Sequence, residues 1–419
     1  MNAHLPGIKV NNLWNRKLEE LKIIFCSNAG VIIVTWFIFS IGEALSNPFF
    51  SLYVKMLGGS DVEIGIVQSA GSFAGLLLML PGGYITDRYG RRKIIVAMTW
   101  AIAAISLLYV FVQDWRQLLI VVALDNALHF HQPALMAIMT DSLPPEYRGR
   151  GWVLSSLIPQ IPWLFMPVIG GYLIDLWGVA GFRLGYLVSA IMASIAAIIR
   201  TFLLKETIKV ETRAEFSLAE MLKSYYTTLK KIPRSVLIII FEWPLVGTLS
   251  MMILSLYGVV YATEILKISK VDWGFANSIS TLVSMLAMLI SLSFIDKMNE
   301  RIKIISASLL INATGIFLFM YLKSFEGVLL YFILTSIVSP FTWPMLSALI
   351  GDLTPRELRG KTAAVENVLG RLSATIAAPI AGFLYVTNPS LAFTISIILV
   401  IIRAVIYLIF VKEPKIKEK

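Results

Sequence analysis

An ionisable side chain inside a long apolar run costs roughly 2.5–3.5 kcal/mol to place at membrane depth, so it is a candidate for function. Glu43 is such a residue, in Ser40-Ile41-Gly42-Glu43-Ala44-Leu45-Ser46-Asn47-Pro48. A carboxyl there can load and release protons near neutral pH; the plainer alternative is a structural hydrogen bond to a neighbouring segment. A second run holds Asp125-Asn126-Ala127-Leu128-His129-Phe130-His131-Gln132-Pro133. Asp125 and His129 stand i,i+4 and share one helix face. A histidine titrates near neutral pH, and a paired carboxylate tunes it. The pair reads as a proton or substrate site, or as a polar contact that pins helix packing. His131 lies about 200° round the helix from His129. A third run carries Glu366, Asn367 and Arg371. Five residues of spacing set Glu366 and Arg371 about 140° apart, which disfavours direct pairing. Arg371 is expected to meet an acid of another segment or to face a cavity as an anion contact. No three or four metal ligands converge in the pattern, so no metal is expected.

The segments that position these residues are long and apolar. The hydrophobic fraction is 57% and the charged fraction 15%, with a mean hydropathy of +0.78. Soluble domains carry about 25% charged residues, so a soluble enzyme, a disordered chain and a fibre are excluded. At roughly 35 residues per span and loop, 419 residues hold about 12 membrane spans. Apolar runs fall at 29–56, 62–85, 94–112, 117–140, 152–175 and 183–204, and again at 235–263, 272–295, 304–322, 327–350, 362–386 and 390–411. Each is long enough to cross the hydrocarbon as a helix.

Charge orients them. With the N-terminus inside, 27 of the 36 Lys and Arg residues fall in inner segments. Six fall in outer loops: Lys55, Arg116, Arg183, Lys267, Lys270 and Lys323. Lys and Arg accumulate on the cytoplasmic side, so both termini are expected there. The net charge of +10 is thereby a matter of topology, and no nucleic-acid partner is implied. The single cysteine, Cys26, excludes a disulfide framework. The polar, basic N-terminal segment does not read as a cleavable signal peptide.

The chain repeats itself. Asp141-Ser-Leu-Pro144-Pro-Glu146-Tyr-Arg148-Gly149-Arg150 matches Asp352-Leu-Thr-Pro355-Arg-Glu357-Leu-Arg359-Gly360-Lys361 at an offset of 211. Pro133 matches Pro344, Pro167-x-x-Gly170 matches Pro379-x-x-Gly382, and Ser51-Leu52-Tyr53 matches Ser255-Leu256-Tyr257. The unit is therefore a duplicated six-helix bundle. The expected organisation is an inner segment 1–28, bundles 29–204 and 235–411, an amphipathic inner linker 205–234 and a tail 412–419. Parallel six-helix repeats with a site between them are one architecture of secondary transporters.

Between spans 2 and 3 stands Gly82-Gly83-Tyr84-Ile85-Thr86-Asp87-Arg88-Tyr89-Gly90-Arg91-Arg92-Lys93. Gly83 permits close helix approach, and Gly90 a tight turn. Asp87 can meet a facing helix N-terminus. Arg88, Arg91 and Arg92 can pair with carboxylates such as Asp141. The second copy, Asp296-Lys297-Met298-Asn299-Glu300-Arg301, lacks the turn glycine.

This loop resembles the G-x-x-x-D-R-x-G-R-R signature between helices 2 and 3 of the major facilitator superfamily, and the resemblance extends over all twelve spans. It implies an all-α membrane fold of two pseudo-symmetric six-helix bundles that rock about a central site. It implies a latch on the cytoplasmic side at Gly83, Asp87, Arg88, Gly90, Arg91 and Arg92, joined by Asp141, Arg148, Asp296 and Arg359. Family members often place an acid in the helix of Glu43, which favours its proton-coupling role. Spans 1, 5 and 10 line the cavity in the family. That makes Trp36, Trp163 and Trp343 substrate-cavity candidates, beside Asn47, His131, Gln160, Glu366, Asn367 and Arg371. Spans 6 and 12 are peripheral in the family, so Arg200 and Arg403 are expected to snorkel outwards. Glu242 is expected near an interface, and Trp115, Trp177 and Trp273 in the outer aromatic belt. Pro159, Pro162 and Pro167 should bend span 5.

Two departures separate the chain from the drug/proton antiporters of that family. Met166-Pro167-Val168-Ile169-Gly170-Gly171 lacks the first glycine of their span-5 motif, and Val121 stands where they carry a span-4 arginine. The expectation is a proton-coupled exporter of small amphipathic compounds in the cell membrane, acting as a monomer without a cofactor. Uptake or facilitation of a sugar, organic acid or other metabolite is the alternative. No Walker phosphate loop is present, so ATP is not the expected driver. An enzyme would need a dense polar cluster near one interface, and none is visible.

Overall fold

The computed structural model describes residues 19–208, 217–293 and 298–413, and Asp87 by its backbone alone. Among these residues twelve helices are long and apolar enough to span a membrane. Spans 1–6 are Asn28–Met56, Asp61–Thr86, Arg91–Phe111, Trp115–Asp141, Pro145–Trp177 and Val179–Leu203. Spans 7–12 are Arg234–Ile265, Lys270–Ser291, Arg301–Leu322, Phe325–Leu353, Arg356–Thr387 and Pro389–Phe410. No strand occurs among the described residues. Helices prevail because hydrocarbon offers backbone N–H and C=O groups no partner, and a helix satisfies them internally. Spans 5 and 11 begin earlier than the hydropathy suggests. Pro145 takes the first helical turn of span 5, where a missing N–H costs nothing.

Polar caps end the helices at one face. Ser60 and Glu63 form a capping box on span 2, and Asp114 accepts Arg116 N at 2.7 Å on span 4. Ser269 caps span 8 and Asn388 caps span 12. Each satisfies amides that lack an intrahelical acceptor. The opposite face carries the repeated motifs. There Arg91 pairs with Asp141 at 2.7 Å, and Arg301 pairs with Asp352 at 2.6 Å. Arg148 Nε donates to Thr140 O and Leu143 O, closing span 4. Arg359 Nε donates to Thr354 O, closing span 10. Glu206 accepts Arg92 N at 2.9 Å and Glu413 accepts Ile302 N at 2.6 Å, so each half sets a carboxylate on a helix N-terminus.

The latch residues divide accordingly. Arg91, Asp141, Arg148 and Arg359 make the bonds above. Arg92 donates to Thr201 O and Leu204 O, tying the loop to span 6. Arg88 donates to the Tyr84 hydroxyl at 2.6 Å. Gly90 has φ +92°, the left-handed turn expected of a glycine. Gly83 departs from expectation, because a Cβ there would meet nothing within 4 Å. The Asp87 side chain and Asp296 lie outside the described residues.

The halves meet at the capped face through bare backbone. A Cβ on Gly65 (span 2) would lie 2.3 Å from Ala378 O (span 11), and one on Gly274 (span 8) 2.2 Å from Pro167 O (span 5). These contacts are mates under the repeat. A third, Gly171 on Lys270 O, is equally close at 2.3 Å. Ion pairs reinforce the seam. Lys55 contacts Asp61 and, across the seam, Glu264 at 2.6 Å, and Lys270 contacts Asp175 at 2.6 Å. Trp273 corrects the aromatic-belt expectation. It is buried, and its indole N–H donates to Pro48 O at 3.1 Å across the halves. Trp177 is exposed, as a belt residue should be. Span 5 breaks into two 3-10 turns, Ile158–Gln160 and Pro162–Leu164, where its prolines withhold N–H groups. The linker holds a helix over Leu218–Lys231 whose N-cap is Ser217.

If glycine sets the approach of the halves, a branched side chain should wedge them apart. In a Cys26→Ser background, cysteines replacing Asp175 and Lys270 should be joined by a short bis-maleimide. Adding Gly274→Leu should cut the joined fraction severalfold. Cross-linking that stays undiminished would show that the glycine does not set the distance.

Candidate functional site

The helices that face the centre are broken near mid-span. Span 1 passes through a 3-10 turn at Asn47–Phe49, span 4 at His129–His131 and span 10 at Ser339–Phe341. Span 7 widens into a π turn at Trp243–Gly247. A proline lies in or just after each turn: Pro48, Pro133, Pro340 and Pro244. Such irregular turns are tolerated at membrane depth where they line a cavity.

Two cavities meet there. The one in the N-terminal half holds about 410 Å³ and is lined by Glu43, Gln68, Asp125, Asn126, His129 and Gln132, among others. The Glu43 side chain faces open cavity space deep among the helices. Asp125 accepts the Tyr109 hydroxyl at 3.1 Å. Tyr109 is held by stacking on Tyr186, with ring centroids 4.6 Å apart. The Asp125–His129 pair is looser than its spacing suggests. His129 Nδ1 lies 3.7 Å from the carboxylate but 2.7 Å from the Asp125 main-chain carbonyl. The cause is local. The 3-10 turn sends His129 N–H to Asn126 O, leaving Asp125 O without its i+4 amide, and the imidazole N–H fills the vacancy. Nε2 is then the ring atom left to exchange a proton.

The cavity of the C-terminal half holds about 910 Å³. Its walls include Trp243, Trp343, Leu254, Leu309 and Phe332, with Glu366 and Asn367. Trp243 and Trp343 stand 5.7 Å apart, tilted by 53°. Behind them lies a buried charge cluster. Arg403 Nε donates to Glu242 at 2.6 Å, and the Tyr407 hydroxyl donates to the same carboxylate. The Arg403 guanidinium also lies over the Trp243 ring at 4.8 Å.

Asn47 and Arg371 line both cavities. Arg371 reaches from span 11 onto span 2. A Cβ at Gly75 would lie 2.2 Å from its Nη1, so the guanidinium occupies space that only a glycine leaves.

The structure thus places Glu43, Asp125 and His129 on one cavity, Trp343, Glu366 and Asn367 on the other, and Asn47 and Arg371 between them. Four candidates line neither cavity. His131 is only 1% exposed and bonds to Leu128 O. Trp36 packs on the core of its own half. Gln160 donates to Ser156 O in the preceding turn, and Trp163 lies in the broken stretch of span 5. His131, Gln160 and Trp163 lie in 3-10 turns, where the register of a straight helix does not hold.

The arginines of spans 6 and 12 do not snorkel. Arg200 is 1% exposed, donates to Thr35 and Thr99, and lies over Phe39 at 5.2 Å. Arg403 is bound inward as described, and Glu242 is buried rather than interfacial. Each half repeats an arginine under an aromatic ring, but only the second supplies an acid. Sequence reasoning missed Gln68, Tyr109, Trp243, Phe332 and Arg403 as lining or supporting residues. The spacing of 204 that relates Ser51 to Ser255 also aligns Phe39 with Trp243, and it was the signal that could have found Trp243.

Comparison with known proteins follows from this geometry. The profile of the Major Facilitator Superfamily matches residues 32–260 and 245–419. Multidrug resistance protein 2 of Bacillus subtilis is 22% identical over 89% of this chain and 91% of its own. Multidrug resistance protein MdtG of Proteus mirabilis is 28% identical over 47% of this chain. The chain spans about half the length (46%) of the first two curated relatives it matches. Among solved structures, a D-xylose–proton symporter shares the fold, with a TM-score of 0.71 at 15% identity, covering 93% of this chain and 99% of the other.

The Glu242–Arg403 pair yields a stability prediction. Glu242→Ala leaves a buried guanidinium unpaired and should lower stability by about 3 kcal/mol. The double variant Glu242→Leu, Arg403→Leu should cost less, because no orphan charge remains. Thermal unfolding of the purified protein in detergent checks the order. A double variant less stable than the single one would contradict it.

Proposed function

The chain belongs to the Major Facilitator Superfamily, and from that premise we propose that it exports small amphipathic compounds in exchange for protons. Membership itself makes it a multi-pass membrane transporter of small molecules rather than an enzyme. The observation that carries the finer reading is the joining of two unlike cavities at Asn47 and Arg371. One is polar and holds three groups that can bind or release a proton. The other is broad and aromatic, of a size suited to a drug-sized body. A carboxyl in the first can change its charge as the halves rock, while the second holds the solute. The names of the Bacillus and Proteus relatives support export of drug-like compounds, and the symporter's fold is compatible with proton use.

Orientation belongs to the same proposal. The motif face, rich in Lys and Arg, is cytoplasmic by the distribution of charge, and bundles 29–204 and 235–411 are the rocking units, with 205–234 as linker. The seam closed by Gly65 and Gly274 is then the outer gate, and the structure is open inward. Glu43, Asp125 and His129 serve as proton carriers. Arg91 with Asp141 and Arg301 with Asp352 serve as cytoplasmic latches within each half.

The test uses protein reconstituted in liposomes with an acidic lumen and a pH-sensitive dye. Adding members of a panel of amphipathic cations and anions should release luminal protons. Glu43→Gln should abolish proton release and uphill transport while sparing solute exchange. Uphill transport retained in Glu43→Gln would remove that residue from coupling. Solute uptake without any proton movement would favour a passive facilitator of metabolites.

A further inference from the structure

The charges of the larger cavity narrow the substrate class. Among the described residues that line it, the ionised groups are Arg403, Glu366 and Arg371. Arg403 is neutralised by Glu242. Glu366 and Arg371 therefore decide what the cavity attracts, and they differ in kind. A carboxyl can shed its charge by taking up a proton, whereas a guanidinium keeps its own at any physiological pH. The one charge this cavity cannot lose is positive, and it sits at Arg371.

That guanidinium is also unused. Among the described residues it forms neither an ion pair nor a hydrogen bond to protein. Its Nη1 lies against span 2, in the space that Gly75 leaves open. A fork of N–H donors that lines the cavity matches a carboxylate, or another anion with two coplanar oxygens. Beside it on the C-terminal side stand Trp243 and Trp343, 5.7 Å apart, and some 910 Å³ of space. The acids Glu43 and Asp125 lie on the other side of the seam, in the smaller cavity.

Resting on the reading of the joined cavities as the transport site, we propose that the substrate is an amphipathic monoanion. Its acidic group docks on Arg371 at the seam, and its apolar body fills the cavity against Trp243 and Trp343. The polar cavity beyond Arg371 is left to the proton. This division explains why an arginine, not a lysine or histidine, stands where the two cavities join. It also explains why span 2 has no side chain at Gly75.

The experiment measures binding, so its failure is distinct from a failure of the proton-flux assay. Protein in phosphatidylcholine nanodiscs is titrated with two dansyl probes of equal chain length, one ending in a carboxylate and one in an amine. Energy transfer from tryptophan to dansyl is read after subtraction of empty nanodiscs. The acid should bind at least about tenfold more tightly than the amine, as a charge-assisted bidentate contact requires. Arg371→Gln should erase that ratio, and Arg371→Lys should keep part of it. Trp343→Ala should weaken both probes alike, since it removes wall and not charge. Preference for the amine, equal binding of the two probes, or a ratio unchanged in Arg371→Gln would overturn the proposal. Binding of neither probe would overturn it as well, while leaving the proton-flux result to stand or fall alone.

Discussion

The distance between the two halves is set by backbone meeting backbone. At Gly65 and Gly274 the facing carbonyls stand closer than any side chain would permit. In hydrocarbon, helices gain nothing by hiding apolar surface from water. Close packing and polar contacts must hold them, and small residues make that possible. From the capped face span 2 follows span 11 past Ser69, which donates to Thr375 O, to Gly75, where Arg371 lies and the two cavities join. The Lys55 and Lys270 ion pairs close the same face.

The repeat supplies two copies of one frame, and the copies have diverged in charge. Arg200 under Phe39 and Arg403 under Trp243 occupy matching places on spans 6 and 12. In the second half Glu242 and Tyr407 answer the arginine. In the first half the partners are only the hydroxyls of Thr35 and Thr99. The acids of the first half stand elsewhere, at Glu43 and Asp125, where they face open space. One copy thus holds a carboxylate in a buried ion pair, whereas Glu43 and Asp125 of the other line a cavity. The same scaffold yields a polar chamber on one side and an aromatic one on the other.

Breaks in the helices do the local positioning. The turn at His129–His131 moves the imidazole from the Asp125 carboxylate to its main-chain carbonyl. It also turns His131 into the protein core. In span 5, Gln160 and Trp163 lie in the 3-10 turns that the prolines introduce. A regular helix wheel describes none of these side chains correctly, because each lies at a point where the helix stops being regular.

The solvent, the number of spans and the duplication are legible along the chain. Those follow from hydropathy, length and motif spacing, which are properties of the chain in one dimension. The sequence also marked Glu43, Asp125, His129, Glu366 and Arg371, because charge in an apolar run is conspicuous wherever the helix points. Only the tertiary structure decided which of these face open space and which neighbour they meet. Spacing on its own helix turns Arg371 away from Glu366 without saying what it meets instead, and it lies on Gly75 of another span. Trp273 and Trp177 both read as belt residues, yet one joins the halves and the other stays exposed. Burial and partnership depend on which helix packs against which face. That is fixed by contacts between residues as far apart in sequence as Gly65 and Ala378, and no local pattern records them.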